Sequence, residues 1–281
     1  MAETVDDYVE RIAREDDDND SGSFKALIIG DWGTGKTRLL TTARKPVWVD
    51  SFDPNGSVGL LQYKNKRQII VDSYWEKHTK DNILFESWYD AFQERQRQKL
   101  FDRLGTYCLD SISTWAICCM DYIMNKAGRK GEAPKWAHDY VPQRVYLENI
   151  MREILALPCD VIAIGHLAER FKKITTRTGE VVEEFDHYKF KATGQAVTTI
   201  PIMFSEVYCM LDEADSQGKK NYKMITSRTN VYPAKSRLAG NGGISHEEEP
   251  NIKNILKKAG YPFGDKPLFK RSKDNEKEGS K

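Results

Sequence analysis

One eight-residue stretch, Gly30-Asp31-Trp32-Gly33-Thr34-Gly35-Lys36-Thr37, constrains this chain more than any other. It is a complete G-x-x-x-x-G-K-T sequence, preceded by the apolar residues 26–29 and followed by the helix-like Arg38-Leu39-Leu40-Thr41-Thr42-Ala43. A buried strand that feeds a glycine-rich turn opening a helix gathers backbone N–H groups and the positive end of the helix dipole around one small volume. That volume suits a chain of phosphates. Gly30, Gly33 and Gly35 admit backbone angles and close approaches that a Cβ would block. Lys36 is spaced to reach β and γ phosphates, and the Thr37 hydroxyl to ligate Mg²⁺. Asp31, Trp32, Thr34 and Arg38 complete the stretch expected to surround a bound nucleotide.

The remaining composition narrows the class. A chain of 281 residues, 40% hydrophobic and 30% charged, suffices for one large α/β domain with appendages or for two small ones. A net charge of only +1 excludes a uniformly basic nucleic-acid coat, so any contact with DNA or RNA must come from a local patch. No apolar segment approaches membrane-spanning length, and the N-terminus is acidic rather than basic-then-apolar, so a cytoplasmic protein with no membrane partner is expected. The five cysteines (Cys108, Cys118, Cys119, Cys159, Cys209) form no C-x-x-C pair and read as reduced core residues.

Residues 1–23 read as an N-terminal arm with Val5, Tyr8, Val9 and Ile12 on one helical face, followed by an acidic linker at 15–20. Either a solvated arm or a peptide docking on a neighbouring subunit fits that pattern. The core spans 24–263. Its strands are expected at 46–50, 68–72, 106–111, 159–165, 207–211 and 222–227, with helices over 82–104, 112–124 and 140–157, a loop at 128–139, and a β-hairpin formed by 171–176 and 181–190. Alternation of short apolar strands with helices implies a mostly parallel α/β sheet covered by helices on both faces, with the hairpin as an insertion. Residues 264–281 read as a charged, disordered tail.

Asp110 ends an apolar strand, where ligands of open α/β sheets bind, and is the natural partner of Thr37 in holding Mg²⁺. Hydrolysis also needs a group to orient or deprotonate water, and Asp50 and Asp53, after the strand at 46–50, both qualify. His166, following the strand at 159–165, and Gln195, before a helix, are placed to sense a γ-phosphate; local backbone bonding accounts for either equally well. Between His166 and Gly194, the cations Lys172, Lys173, Arg177, Lys189 and Lys191 alternate with Phe171, Phe185, Tyr188 and Phe190. Cations for phosphate with aromatics for base stacking is the composition of a single-strand groove, diluted here by Glu180, Glu183, Glu184 and Asp186.

The order Gly30–Thr37, then Leu109-Asp110-Ser111-Ile112-Ser113, then Ile164-Gly165-His166, then Lys235-Ser236-Arg237-Leu238 resembles the RecA-like ATPase core. More narrowly it is similar to phage-encoded nucleotide-binding proteins of the Sak type, associated with single-strand annealing and recombination. The resemblance implies ATP and Mg²⁺ as cofactors and assembly with copies of itself in a ring or filament. It places ATP at the subunit interface, with Lys235 and Arg237 reaching the neighbour's γ-phosphate. It implies single-stranded DNA as partner, and brings in a single-strand DNA-binding protein as a second. Many members carry a glutamate where this chain offers Asp50 or Asp53, so a non-hydrolysing nucleotide-gated DNA-binding or helicase-loading module remains an alternative, as does a small-molecule P-loop kinase.

Overall fold

The computed structural model describes residues 4–11, 22–64, 67–77, 83–215, 217–239 and 243–270. Strands β1 (Lys25–Gly30), β2 (Val47–Ser51), β3 (Ile69–Asp72), β4 (Thr106–Asp110), β5 (Asp160–Thr175), β7 (Glu206–Ala214), β8 (Lys220–Ile225) and β10 (Glu247–Glu248) lie in the order β10-β8-β7-β1-β5-β4-β2-β3. The pairs from β7 through to β3 are parallel; β8 and β10 are added antiparallel at one edge. β6 (Val181–Phe190) pairs with the far half of β5, and β9 (Lys235–Ser236) with the start of β7. The expected mostly parallel sheet with helices on both faces is therefore the observed architecture.

Period-two alternation sorts the strand residues into two cores. Leu27 and Ile29 of β1, Tyr107 and Leu109 of β4, Val161 and Ala163 of β5, and Val207 and Cys209 of β7 face one way. There they meet α2 (Leu84–Arg97), α3 (Ile112–Lys126), α4 (Val141–Leu155) and α5 (Ala196–Met203). Ala26, Ile28, Cys108, Ile162, Ile164, Tyr208 and Met210 face the other way, under α1 (Lys36–Leu39) and α6 (Ile252–Lys258). Both faces of every central strand are buried, which is why those strands read as continuous apolar runs. All five cysteines are free and buried, as expected.

Several boundaries differ from the sequence-based expectation. The helix expected over 82–104 is α2 alone, followed by a 3₁₀ turn at Phe101–Arg103; Lys99 adopts a left-handed φ of 53° between them. The loop at 128–139 ends in a π-helical turn, Trp136–Tyr140, that runs into α4, whose Pro142 sits in the first turn where its missing N–H costs nothing. The strands expected at 159–165 and 171–176 are one 16-residue strand, β5, which leaves the central sheet and continues into the hairpin through a register shift at Arg170/Phe171. Residues 264–270, expected to begin a disordered tail, are held to the body. Asp265 accepts from the Lys45 amide at 2.7 Å, the Lys266 amide donates to the Lys45 carbonyl at 2.8 Å, and the Arg103 guanidinium lies 4.4 Å from the Phe269 ring centre. Residues 5–11 are helical with Val5, Tyr8 and Val9 exposed, whereas the acidic linker and residues 271–281 lie outside the described residues.

Asp50 corrects a functional expectation. Its side chain points into the first core, fully buried. Oδ1 accepts from Trp48 Nε1 at 2.9 Å, Oδ2 from Trp88 Nε1 and from the Tyr107 hydroxyl at 2.8 Å each, and Arg95 Nη1 donates to both oxygens. Arg95 Nη2 also bonds Asp72 at 2.6 Å, and its guanidinium lies over the Trp48 ring. A carboxylate with every lone pair engaged beneath the sheet is structural, so Asp50 is not available to activate water.

Breaking such a buried pair from one side strands the other charge. Arg95→Ala is expected to cost about 3–5 kcal/mol of stability, measured by denaturant unfolding, whereas Arg97→Ala on the exposed flank of the same helix should change stability by no more than about 0.5 kcal/mol.

Candidate nucleotide site

At the carboxyl edge of the sheet, the ends of β1 and β4, β5 at His166 and the segment after β2 converge, the place where open α/β sheets bind ligands. β1 ends at Gly30 and the chain turns through residues 31–35 into α1. Gly33 and Gly35 have φ of 78° and 83°, angles that L side chains adopt only under strain. Gly30 is fixed by space instead: a Cβ there would meet the Met210 carbonyl and the Thr34 hydroxyl at 2.7 Å. Lys36 folds back over the turn, its ammonium donating to the Gly30 and Asp31 carbonyls at 3.0 and 2.6 Å. Burial pushes that ammonium below the usual lysine range, against the pull of the Asp110, Asp53 and Asp31 carboxylates.

Thr37, in the first turn of α1, donates its hydroxyl to Asp110 Oδ2 at 2.7 Å. Asp110 is nearly inaccessible, and burial, reinforced by the Asp53 charge, raises its carboxyl to about 6 although Thr37 and Lys36 pull the other way. A hydroxyl and a carboxylate are the hard oxygen donors that Mg²⁺ takes together with phosphate oxygens, so the residues present fit that ion. Among the described residues no group of three or more His, Cys, Asp or Glu forms an all-protein metal cage.

Asp53 stands beside this pair. Oδ2 lies 3.0 Å from His166 Nε2, and Oδ1 accepts from the Ser111 hydroxyl at 2.7 Å and from the Thr114 hydroxyl. Burial opposes ionisation, but the bonds from His166, Thr114 and Ser111 outweigh it and hold Asp53 below the ordinary carboxylate range. His166 is placed by register: it sits opposite Gly30 in the β1–β5 ladder, one step beyond the last buried residues of the strand. Ser111 doubles as the cap of α3, accepting from the Thr114 amide.

Other sequence candidates lie elsewhere. Lys235 and Arg237 flank Ser236 in and after β9, which pairs with β7 level with Ala26 and Leu27 rather than with the phosphate loop. Lys235 Nζ donates to the Pro201 and Ile202 carbonyls, and the Arg237 amide to buried Glu206. Neither residue is placed by its own chain on its own loop. Gln195 accepts a hydrogen bond from Arg144 of α4. Lys172, Lys173 and Arg177 line the outer hairpin, where Lys172 pairs with Glu184 at 3.7 Å; Lys189 and Lys191 lie at its base, and the Lys191 amide bonds the His166 carbonyl.

Sequence reasoning missed a cavity of about 500 Å³ beside the loop, lined by Gly35, Arg38, Tyr63, Asn221 and Tyr222 among others. The Tyr222 ring lies 3.4 Å from where a Cβ on Gly35 would stand. Nothing local marks Tyr222, because it reaches the loop only through the pairing of β8 with β7.

A glycine loop between a buried strand and a helix, with lysine and threonine at its end and an aspartate at the tip of β4, the parallel strand one beyond β5, defines a P-loop nucleotide-binding ATPase of the α/β class. The chain belongs to the AAA domain family, whose model matches residues 23–238 and so takes in the loop, Asp53, Asp110, His166, Lys235 and Arg237. No curated protein matches the chain.

The Asp110 carboxyl gives a signed pH prediction. Folding raises its pKa from 3.8 to about 6, so its protonated form favours the fold, and stability is lost as pH rises through that window. Asp110→Asn mimics the neutral form. The nucleotide-free variant should be more stable than the parent above pH 6 by on the order of 3 kcal/mol, at about 1.4 kcal/mol per pKa unit, with the gain vanishing towards pH 4, while retention of Mg·ATP is lost. Thermal melts across pH and a nucleotide-retention assay read both.

Proposed function

We propose that this protein is a Mg²⁺-dependent, ATP-hydrolysing RecA-like protein that assembles with copies of itself on single-stranded DNA and assists annealing or recombination. The observation that carries the ATPase half is the Thr37–Asp110 contact, with the Asp53–His166 pair standing next to it. Lys36 would leave the loop carbonyls to meet phosphate oxygens, which are stronger acceptors. Thr37 and Asp110 would hold the magnesium, which supplies positive charge to the phosphates. Asp53, not Asp50, is the carboxylate left to orient an attacking water. His166, bonded to Asp53 and followed directly by the hairpin strand, links the state of that carboxylate to the hairpin. The cavity lined by Tyr63 and Tyr222 suits the nucleobase, since aromatic walls stack on any purine face.

The DNA half rests on the hairpin. Phe171, Phe185, Tyr188 and Tyr232 form a row with successive ring separations of 6.2, 5.0 and 5.3 Å, flanked by Lys173 and Lys189. Stacked aromatics with nearby cations favour single strands without strong sequence preference. Phe171 is the exposed end of the row, open to a base.

A second reading is favoured by one observation. Asp53 is held ionised by three hydrogen-bond donors, and a carboxylate of lowered pKa is a weak base. On that reading the protein binds ATP as a switch and consumes it slowly.

Turnover measured with and without single-stranded DNA separates the two. The expected result is turnover that rises with DNA, is absent in Lys36→Ala, and falls at least ~100-fold in Asp53→Asn. Nucleotide bound but not consumed by the parent protein would leave the switch, and an Asp53→Asn variant as fast as the parent would remove Asp53 from the reaction.

A further inference from the structure

Trp32 sits at the tip of the phosphate loop with 84% of its surface exposed, next to exposed Asp31. Other exposed apolar residues surround α1: Val58 and Leu61 on and just after the segment that packs against it, and Tyr222 beside Gly35. Exposed apolar residues that cluster in this way mark contact surfaces, and tryptophan is the residue most enriched at their energetic centres.

A groove of matching chemistry lies on the other layer of the molecule. It has a volume of about 740 Å³ and runs between the end of α5 and the segment 228–235. Val207, Pro233 and Tyr232 provide its apolar lining, Ile202 stands 62% exposed at its lip, and Lys189, Arg228 and Lys235 outnumber the one carboxylate, Asp186, so the lining is net positive. Tyr188 and Tyr232 stack within 5° of parallel at its wall. A space of this size takes a bulky aromatic group together with the residues flanking it.

The two surfaces cannot meet within one chain. α1 covers the second core, whereas Val207 and Ala234 of the groove belong to the first, on the opposite face of the sheet. Lys235 is also level with Val207 and so with Leu27, three positions before Gly30, or about 10 Å along the strand at 3.3 Å per residue. A knob on one face and a groove on the other describe a head-to-tail contact between copies.

We infer that Trp32 of one copy seats in the groove between α5 and residues 228–235 of the next copy, with Asp31 meeting the groove's cations. The inference rests on the trans-acting reading of Lys235 and supplies the contact that makes it work: Lys235 is part of the groove wall, so seating Trp32 carries the next copy's Lys235 to the phosphate loop. A single tryptophan buries only about 150–250 Å², well short of the ~1,000 Å² of a durable interface. The contact is therefore an anchor within a larger surface, to which the γ-phosphate adds attraction for the incoming cations.

The test uses the full chain with a non-hydrolysable ATP analogue, following mass by light scattering. Trp32→Ala and Ile202→Glu alter exposed positions, and each alone, at analogue concentrations shown to saturate that variant, should need at least tenfold more protein to assemble. An equimolar mixture of the two should form dimers and nothing larger, because it offers one intact Trp32 and one intact groove per pair. A Trp32→Cys/Ile202→Cys double variant should give linked oligomers on oxidation, which neither single variant gives. The inference is overturned if the mixture stays monomeric, if either variant assembles like the parent, or if Ile202→Glu loses single-stranded DNA binding with assembly intact, which would assign the groove to DNA. A parent protein that binds the analogue yet never assembles overturns it as well, leaving the ATP site standing. Failure of the parent to bind the analogue would sink the ATPase reading, while the oxidation experiment still reads the contact.

Discussion

A carboxylate that the sheet has almost entirely removed from water, Asp110, faces Thr37 across 2.7 Å, and the arrangement of the site follows from that contact. Burial makes the charged form of Asp110 expensive and leaves its carboxyl at about 6. The same burial lowers the proton affinity of the Lys36 ammonium. Each charge is tolerable because the other is near, and both are poised for a ligand that brings phosphate to the lysine and a cation to the carboxylate. The nucleotide-free site is thus held at a cost that binding relieves, and stability is given up where function needs it.

The sheet separates structure from chemistry by alternation. On β2, Asp50 points beneath the sheet into a cage of Trp48, Trp88, Tyr107 and Arg95. Three residues further, past the end of the strand, Asp53 emerges at the carboxyl edge beside His166, Ser111 and Thr114. The buried cage braces the strand end from below, and the segment after it presents the second carboxylate to the phosphate loop. The sheet also gives the molecule polarity: the loop helix α1 lies on one face, and the groove holding Lys235 on the other. Such a molecule has two unlike surfaces, which is what a directional assembly requires.

β5 connects these levels. Its first half is a central strand buried on both faces, His166 marks where it passes the phosphate loop, and its second half is an exposed hairpin arm. The Lys191 amide bonds back to the His166 carbonyl and the Ser113 hydroxyl to the Lys191 carbonyl, so the base of the hairpin is tied to the site on both strands. A shift at His166 has a continuous covalent and hydrogen-bonded route into the arm.

Local pattern alone determined a good deal. The phosphate loop, the apolar strands around it, the covered parallel sheet, Asp110 as the partner of Thr37 and the reduced buried cysteines are all legible, because each depends on residues close in sequence or on burial common to a whole strand. The helix end at 97 and the π turn at 136–140, inside the stretch expected as a loop, are not legible, since Lys99 in a left-handed conformation and a π turn carry no periodic signal. What tertiary structure decided is which side chains meet. The choice between Asp50 and Asp53 turned on which face of the sheet each occupies relative to Arg95 and His166, residues 45 and 113 positions away. Tyr222 reaches Gly35, and Lys235 is kept from its own loop, only through the pairing of β8 and β9 with β7. Contacts of that range are set by sheet order and register, which no short stretch of sequence encodes.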